Sequence, residues 1–580
     1  MDIIKEISQI KENYYDSTIT IMEGLTHSQH TIIQKVEFYT NSQYINGMFD
    51  EMGRYKPFYN IVNFRVNVAV KATDLDTKDI QVFSDNPNHA VKSMIFNKEV
   101  KNWMRRNYFS KTLNNLTFTR AKYGGVLVKK VVKSGDITLE VPEWKNLIVD
   151  QVDIKNGVKI EKHYITPVQI QKKKKVWNKI DNNWHEVETI LDNLDNKSSR
   201  VCILEVEGEF EKEYIGETPE EEFSLQHYFI LCDENEEPKC VLHQEELASS
   251  SYKYLPWLEA SGRSLGIGIV EDGFNAQFAT NDMVLKQRDI IELASKTLIY
   301  TDSDIVENNV LNDTSVGDIL KIDKGEQMGV LNTMPSSFPA LDAIKTAWDE
   351  QYSRISSTFE AVTGETMPSG TPFRSIAIQN QEAQSTFNYR REEMGIFLNE
   401  IFTDWIIPFI TKKLNKQHIL SSDFTEDELA KIDDSFAKHI AYKEVISNLL
   451  KMKPTTIDEF IERVDEIKAK NKELGKKRFI DVPEGYFKDV EFQLDILTTG
   501  EQINKTAVFE TISNIISVIS SNPNILQDQI LKSLLAKAIE ISGIGINIDT
   551  IAASPQNIPQ QQTTQQEPLK ANQELQAVSS

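Results

Sequence analysis

Four residues of metal-binding type, His227, Cys232, Cys240 and His243, lie close together in the chain. They fall on HYFILC-DENEEPK-CVLHQ, which reads as a β-hairpin because two apolar runs flank a polar, acidic turn. Zinc needs four such ligands converging at tetrahedral distance, and this spacing matches none of the compact knuckle patterns. The expectation is ordinary buried cysteines, surface histidines and no bound metal. Lys172, Lys173, Lys174 and Lys175 form a basic run beside Trp177. Such a run is a solvated strand or turn, or a contact for an acidic partner or nucleic acid. A phosphate-binding loop requires GxxxxGK[ST], and none occurs; LGKKRF lacks both the first glycine and the hydroxyl residue. Gly262, Gly266, Gly268 and Gly273 do not fall at GxGxxG spacing, so they read as a flexible approach to a long helix. No HExxH, GxSxG or DxDxDG arrangement is present. No cofactor and no catalysis are expected.

The elements that must position these residues change along the chain. Residues 1–50 read as helical. NIVNFRVNVAVKA alternates like a strand, but a buried helix fits equally well. The segment 91–124 is more clearly helical, with Met94, Val100, Met104, Phe109, Leu113 and Leu116 at near-helical spacing, and it ends at Gly124-Gly125. A β-hairpin follows in GVLVKKVV-SGD-ITLEVPEW. Residues 140–260 are β-rich, with VKIEKHYIT, QKKKKVWNKI, NWHEVETIL and RVCILEVEGEFEKEYI as further short strands. From Leu265 to about Lys296 the chain reads as one helix, spanning roughly 45 Å at ~1.5 Å per residue. After a β-like segment, a second helix carries the cleanest apolar stripe in the sequence: Leu341, Ile344, Trp348, Tyr352, Ile355, Phe359 and Val362. TGETMPSGTPFR cannot continue it, because its glycines and prolines demand a loop. A third long helix runs from about Ser375, kinked near its end by Pro408. After Ser421 everything reads as helical, with capping boxes at Thr425…Glu428 and Thr456…Glu459 and further helices near 500–520 and 525–541. The Gln/Pro/Ser-rich tail from about Ala552 reads as disordered.

Composition bounds the function. At 580 residues the chain is too long for one small domain, and 40% hydrophobic residues can build a sizeable core. A net charge of −23 argues against a protein that grips nucleic acid along its backbone. Three cysteines argue for a reducing compartment and against a disulfide scaffold. The N-terminus has no signal-peptide core, and no run of ~18 apolar residues predicts a membrane span.

The most informative signal is an order: helix, short β segment, helix, Gly/Pro loop, long helix. Two long helices bracketing a β insertion point that insertion away from the body. An ordinary helical domain with a β excursion gives the same periodicities. Three segments carry a resemblance that separates the two: KVEFYTNSQYINGMFDEMGRYKPFYNIVNFRVNVAVKA, PWLEASGRSLGIGIVEDGFNAQ and AVTGETMPSGTPFRSIAIQNQEAQSTFNYRREEMG. Together with the order of elements over 30–550, they resemble the portal proteins of tailed bacteriophages, the head-to-tail connectors. The acidic, Lys/Asn/Ile-rich style is similar to portals of crAss-like phages.

The resemblance implies an α+β, portal-like fold. Residues 1–264 would be most of a mixed wing, β-rich over 125–255. Residues 265–297 and 338–362 would be two stem helices, and 298–337 a β-containing clip. Residues 363–375 would be the tunnel loop, 376–422 the long helix behind it, 423–550 a helical crown and 551–580 a tail. It also implies a homo-oligomeric ring of about twelve subunits at one capsid vertex of a virion, assembled in the host cytoplasm. Such a ring conducts double-stranded DNA during packaging and ejection and contacts the major capsid protein. It docks the terminase large subunit and later the tail adaptor, and involves no membrane. It hydrolyses no ATP, since a separate terminase supplies the energy. The tunnel-loop residues would be Met367, Pro368, Ser369, Gly370, Thr371, Pro372, Phe373 and Arg374, with Lys286, Arg288 and Lys296 as basic candidates for the channel wall. The competing readings are another ring-forming adaptor or tail protein, a cytosolic enzyme with a helical C-terminal domain, and a terminase or nuclease.

Overall fold

The computed structural model describes residues 3–496, apart from 193–199, 212–222, 296–297, 302–327, 332–337, 359–372, 415–417, 421–423, 476–478 and a few single positions. The expected helices at 500–520 and 525–541, the capping box at Thr425 and the tail therefore lie outside the described residues. The architecture is mixed α+β with open antiparallel sheets.

Helix α1 (Ile3–Asp16) leads into a ribbon, β1 (Ile19–Met22) with β2 (Leu25–His27), and then helices α2 (Gln29–Thr40) and α3 (Val62–Thr73). The ambiguous segment at 60–72 is thus a helix. Val62, Val66, Ala69 and Thr73 are buried three or four residues apart, so the helical period governs. Strand β3 (Ile80–Phe83) precedes α4 (Ala90–Arg106) and α5 (Phe109–Tyr123). The helical stretch at 91–124 is broken between these two, where Tyr108 takes a left-handed conformation (φ 50°). The expected hairpin is β4 (Gly125–Lys133) with β5 (Asp136–Glu140).

The main sheet contains β6 (Leu147–Val149), β7 (Lys159–Ile165), β8 (Val201–Glu211), β9 (Phe223–Cys232) and β10 (Pro238–Glu246) in the order β10-β9-β8-β7-β6, all antiparallel. Between β7 and β8 the expected strand at 171–180 is instead the end of helix α6 (Pro167–Lys173) followed by turns, and the expected strand at 183–191 is helix α7 (Trp184–Asp192). The reason is local. Pro167 sits in the first helical turn, and Thr166 with Gln169 forms a capping box. Ile170, Trp177, Ile180 and Val187 then bury their apolar groups against one face of the sheet. Strand β11 (Tyr252–Pro256) joins the other edge of β4.

The expected helix from Leu265 is divided at Gly273 into α8 (Ile269–Asp272) and α9 (Phe274–Ala294). The ring of Tyr352 packs against Gly273, where a side chain would overlap it. Strands β12 (Leu298–Thr301) and β13 (Met328–Leu331) pair before α10 (Phe338–Ile355). The next helix, α11 (Phe373–Ile401), passes through a π-helical turn at Phe402–Ile406 into α12 (Ile407–Leu414). The turn lies immediately before Pro408, whose missing N–H cannot serve the ladder. Among the described residues, 385–414 is the one stretch long and apolar enough to cross a membrane by composition, and it is largely core: Met394, Phe397, Leu398, Ile401, Phe402 and Trp405 are buried.

The remaining elements are β14 (His418–Leu420), α13 (Glu426–Leu450), α14 (Ile457–Glu473), β15 (Phe479–Asp481) and β16 (Gln493–Ile496). Thr456 and Glu459 form the expected capping box. The all-helical reading after Ser421 is corrected by β15, which pairs with β14, and by β16, which returns to pair with β3. Strands of three or four residues are too short to show a period. Phe487 and Phe492 then pack against Phe96, closing a core shared by α4, α5, α11, α12 and α13.

The glycines of GRSLGIG are not a flexible approach. Helix α5 ends at Gly124 (φ 92°), and there its main chain meets Gly266 and Gly268 directly. An added Cβ at Gly124 or Gly268 would overlap the opposing backbone. Trp257 N donates to Gly124 O at 2.8 Å, and Gly266 N donates to the Tyr254 hydroxyl at 3.1 Å. Gly268→Ala should therefore destabilise the protein by about 1–3 kcal/mol, seen as a lower urea midpoint. A midpoint equal to wild type would show that the crossing tolerates a side chain.

Candidate functional site

The helix–ribbon–helix segment forms an arm. Tyr352, near the C-terminal end of α10, donates its hydroxyl to Ile269 O (2.8 Å) beside the start of α9. The opposite ends of the two helices lead into β12 and β13, paired from Leu298↔Leu331 to Thr301↔Met328. The helices thus run antiparallel, with the ribbon at their far end.

The arm is fastened to the body by charge. Arg65 is buried and bonds Asp349 (2.9 Å) and Thr358 O (2.6 Å). Arg288 donates to Tyr55 O (3.0 Å) and Asp50 Oδ2 (3.1 Å). Arg54 bonds Asp50 (2.9 Å) and Glu292 (2.7 Å), so the segment around 50–55 is pinned to α9. Asp50 is held below the usual carboxylate range: desolvation opposes ionisation, but hydrogen bonds from Arg54 and Arg288 outweigh it.

Apolar satisfaction along the arm is poor. Of the α10 stripe only Tyr352 is buried; Ile344, Trp348 and Ile355 are 44%, 37% and 51% exposed. Phe278 and Ile291 on α9 are exposed too. Beside α9, Tyr39, Tyr44, Ile45, Phe278 and Leu285 line a cleft of about 310 Å³.

The sequence-derived candidates separate. Lys286 is exposed and pairs with Asp282 at 2.7 Å. Arg288 is committed to the network just described. Lys296 and residues Met367–Pro372 lie outside the described residues. Phe373 and Arg374 belong to the first turn of α11, not to a loop. In the lysine run, Lys173 and Lys174 stack on Trp177 and Trp184, with ammonium-to-ring distances of 5.8 and 3.8 Å, while Lys172 and Lys175 are exposed.

His227, Cys232, Cys240 and His243 do not converge. Cys232 is buried under α1 with Cys202, whereas Cys240 packs on the opposite face of the sheet with Ile170 and Trp177. His243 Nδ1 bonds the Asn178 amide group. His227 instead joins a polar cluster that motif reading did not find. Glu205 on β8 accepts from His163 Nε2 (2.7 Å), His227 Nε2 (2.8 Å) and Lys129 Nζ. Lys129 also reaches Glu161 (2.8 Å). A signal existed in VEGE and its neighbours: Glu205, Glu207 and Glu209 recur at every second position of an otherwise apolar strand.

Glu161, His163 and Glu205 bring ligand atoms within 4.8 Å of one another, a spacing that could hold a metal ion. The Lys129 ammonium already bridges the two carboxylates and supplies the positive charge there. Burial alone would raise the Glu205 carboxyl; hydrogen bonds from His163 and His227 and the Lys129 charge hold it far below its usual value of 4.5.

No protein-family model matches this chain, and no curated protein matches it either.

Because the folded-state pKa of Glu205 is depressed, its contribution is present at neutral pH and is lost as pH falls below about 4.5. Glu205→Gln should cost about 3 kcal/mol at pH 7, since it removes one partner from a buried ion pair. The gap from wild type should narrow as the pH drops below about 4.5. Thermal melts of both proteins from pH 3 to 8 test this, and a pH-independent gap would contradict it.

Proposed function

We propose that the chain is the portal subunit of a tailed bacteriophage, forming a ring at one capsid vertex. The ring conducts double-stranded DNA during packaging and ejection. The observation that carries this reading is the arm: an antiparallel helical pair topped by a two-stranded ribbon, with its apolar stripe unpaired in the single chain. Burying one aliphatic side chain contributes about 1.5–3 kcal/mol, so the row Ile344, Trp348, Ile355 favours a partner. The cleft lies on α9 and the stripe on α10. Two unlike surfaces on one subunit favour a head-to-tail contact, which closes into a ring when the rotation permits.

In this reading α9 and α10 are the stem, and 298–337 the clip that docks the terminase large subunit and later the tail adaptor. Residues 363–372 form the tunnel loop, and α13 with α14 belongs to the crown. The wing contacts the major capsid protein. The ring assembles in the host cytoplasm and resides in the virion. Charge supports the task. Duplex DNA carries one negative charge per ~1.7 Å, and an acidic wall repels it. Screening limits that repulsion to ~8 Å at physiological salt, comparable to the clearance of a channel slightly wider than DNA. Among the described residues, Lys286 is then the basic candidate on the stem that stands outside the Asp50 network. Any chemical work belongs to a separate terminase.

Negative-stain electron microscopy of the purified chain, co-produced with its capsid protein, should show rings of about twelve subunits with a central hole near DNA width. A chain that remains monomeric at high concentration under those conditions overturns the reading. Deleting 367–372 should leave ring assembly intact and reduce packaged DNA at least tenfold, which corresponds to about 1.4 kcal/mol in an equilibrium or barrier. Normal packaging by that variant would remove the tunnel-loop assignment while leaving the ring.

A further inference from the structure

Among the buried nucleophiles, two face each other. Cys202 lies on β8 and Cys232 at the end of β9, and both side chains are in the core beneath α1. The β8–β9 register runs to Ile203↔Leu231. One step further sets Cys202 opposite Cys232, in the row that Tyr164↔Cys202 and Pro238↔Cys232 extend on either side. Directly opposed residues of an antiparallel pair have Cα atoms about 4.5–5.5 Å apart. That lies within the range a disulfide spans, about 4.4–6.8 Å. With both side chains on the same face of the sheet, the two thiols are neighbours across the strands. All three cysteines are free, and Cys240 is on the other face of the sheet, out of reach of either.

The surroundings make the two thiols unequal. A hydrogen bond from Cys232 favours the Cys202 thiolate, and the Lys162 ammonium favours it further, against burial and the Glu236 charge; the Lys11 ammonium favours a thiolate at either sulfur. These lysines are held in place by the β9–β10 turn: Lys162 bonds Glu236 (2.6 Å) and Lys11 bonds Glu237 (2.7 Å). Cys232 carries the opposite bias, since its proton is the one shared with its neighbour. An attacking thiolate beside a resolving thiol is the arrangement of an oxidation-sensitive pair.

We propose that Cys202 and Cys232 are a peroxide-oxidisable pair that closes into a cross-strand disulfide, tying β8 to β9. The Cys202 thiolate attacks one oxygen of a hydroperoxide. The O–O bond breaks, the leaving oxygen takes a proton as water or alcohol, and Cys202 becomes a sulfenic acid. The Cys232 sulfur then displaces its hydroxyl, which leaves as water with the Cys232 proton. Two thiols are oxidised and one peroxide is reduced. A water-sized oxidant suits the site, because Cys202 is only 4% exposed. The inference rests on the sheet and not on the assembly proposed above.

The test uses the full chain and hydrogen peroxide in small excess, followed by quenching, denaturation and alkylation. Titratable thiols should fall from three to one, with a loss of about 2 Da in intact mass and a peptide crosslink between Cys202 and Cys232. A thiol reductant should restore all three. Cys240→Ser should close the same crosslink, and Cys202→Ser should form none. Three surviving thiols, preferential loss of Cys240, or over-oxidation of Cys202 without a crosslink would each overturn the proposal. Because Cys240→Ser leaves the pair intact, a folding failure of Cys202→Ser does not remove the test.

Discussion

The main-chain crossing of Gly124 with Gly266 and Gly268 is the constraint on which the arrangement depends. It joins the end of α5, which begins the β4 strand, to the segment that starts α8 and the arm. Two backbones in direct contact leave no room for side chains and no freedom to slide. The direction in which the arm leaves the body is therefore set by packing at this point. Tyr352 repeats the device one turn later, laying its ring on Gly273 and its hydroxyl on Ile269 O. Arg65, Arg54 and Arg288 then secure the flanks of the arm by charge. Glycine contacts thus fix the position of the arm, and ion pairs hold it there.

What the sequence made legible follows from length and period. Helices of eighteen residues or more, such as α10 and α11, announce themselves because apolar residues repeat through several turns. The β4–β5 and β9–β10 hairpins were legible because polar turns separate apolar runs. Strands β3 and β16 were not, since four residues carry no period and their partners are more than 400 positions apart in the chain. Helices α6 and α7 were misread because lysines and tryptophans interrupt the apolar spacing, while Thr166-Pro167 held the correct signal. The metal-type residues at 227–243 were easy to notice, but their strand faces send them apart. The Glu205 cluster draws on β7, β8 and β9 of the main sheet and on β4 of the separate β11-β4-β5 sheet, and only the two sheets together bring its members into contact.

Cost and satisfaction are unevenly distributed. The body meets many of its polar obligations internally, with Glu205 accepting three donors and Arg120 bonding Pro256 O and Arg390 O, though Gln226 Oε1 stays buried without a partner. The arm does not meet its apolar ones: its most regular stripe stays half uncovered.

The π-helical turn at Phe402–Ile406 carries a consequence for comparing this chain with others. A π turn absorbs one extra residue, and each residue advances a helix by roughly 100°. The inserted residue lets Ile407, Ile410 and Leu414 face the same core as Met394, Leu398 and Ile401. An alignment that treats 385–414 as one uniform helix would shift every apolar position after the turn by one residue. The descent of this segment is better followed by tracking the core-facing positions on each side of the turn separately, allowing a single-residue gap between them.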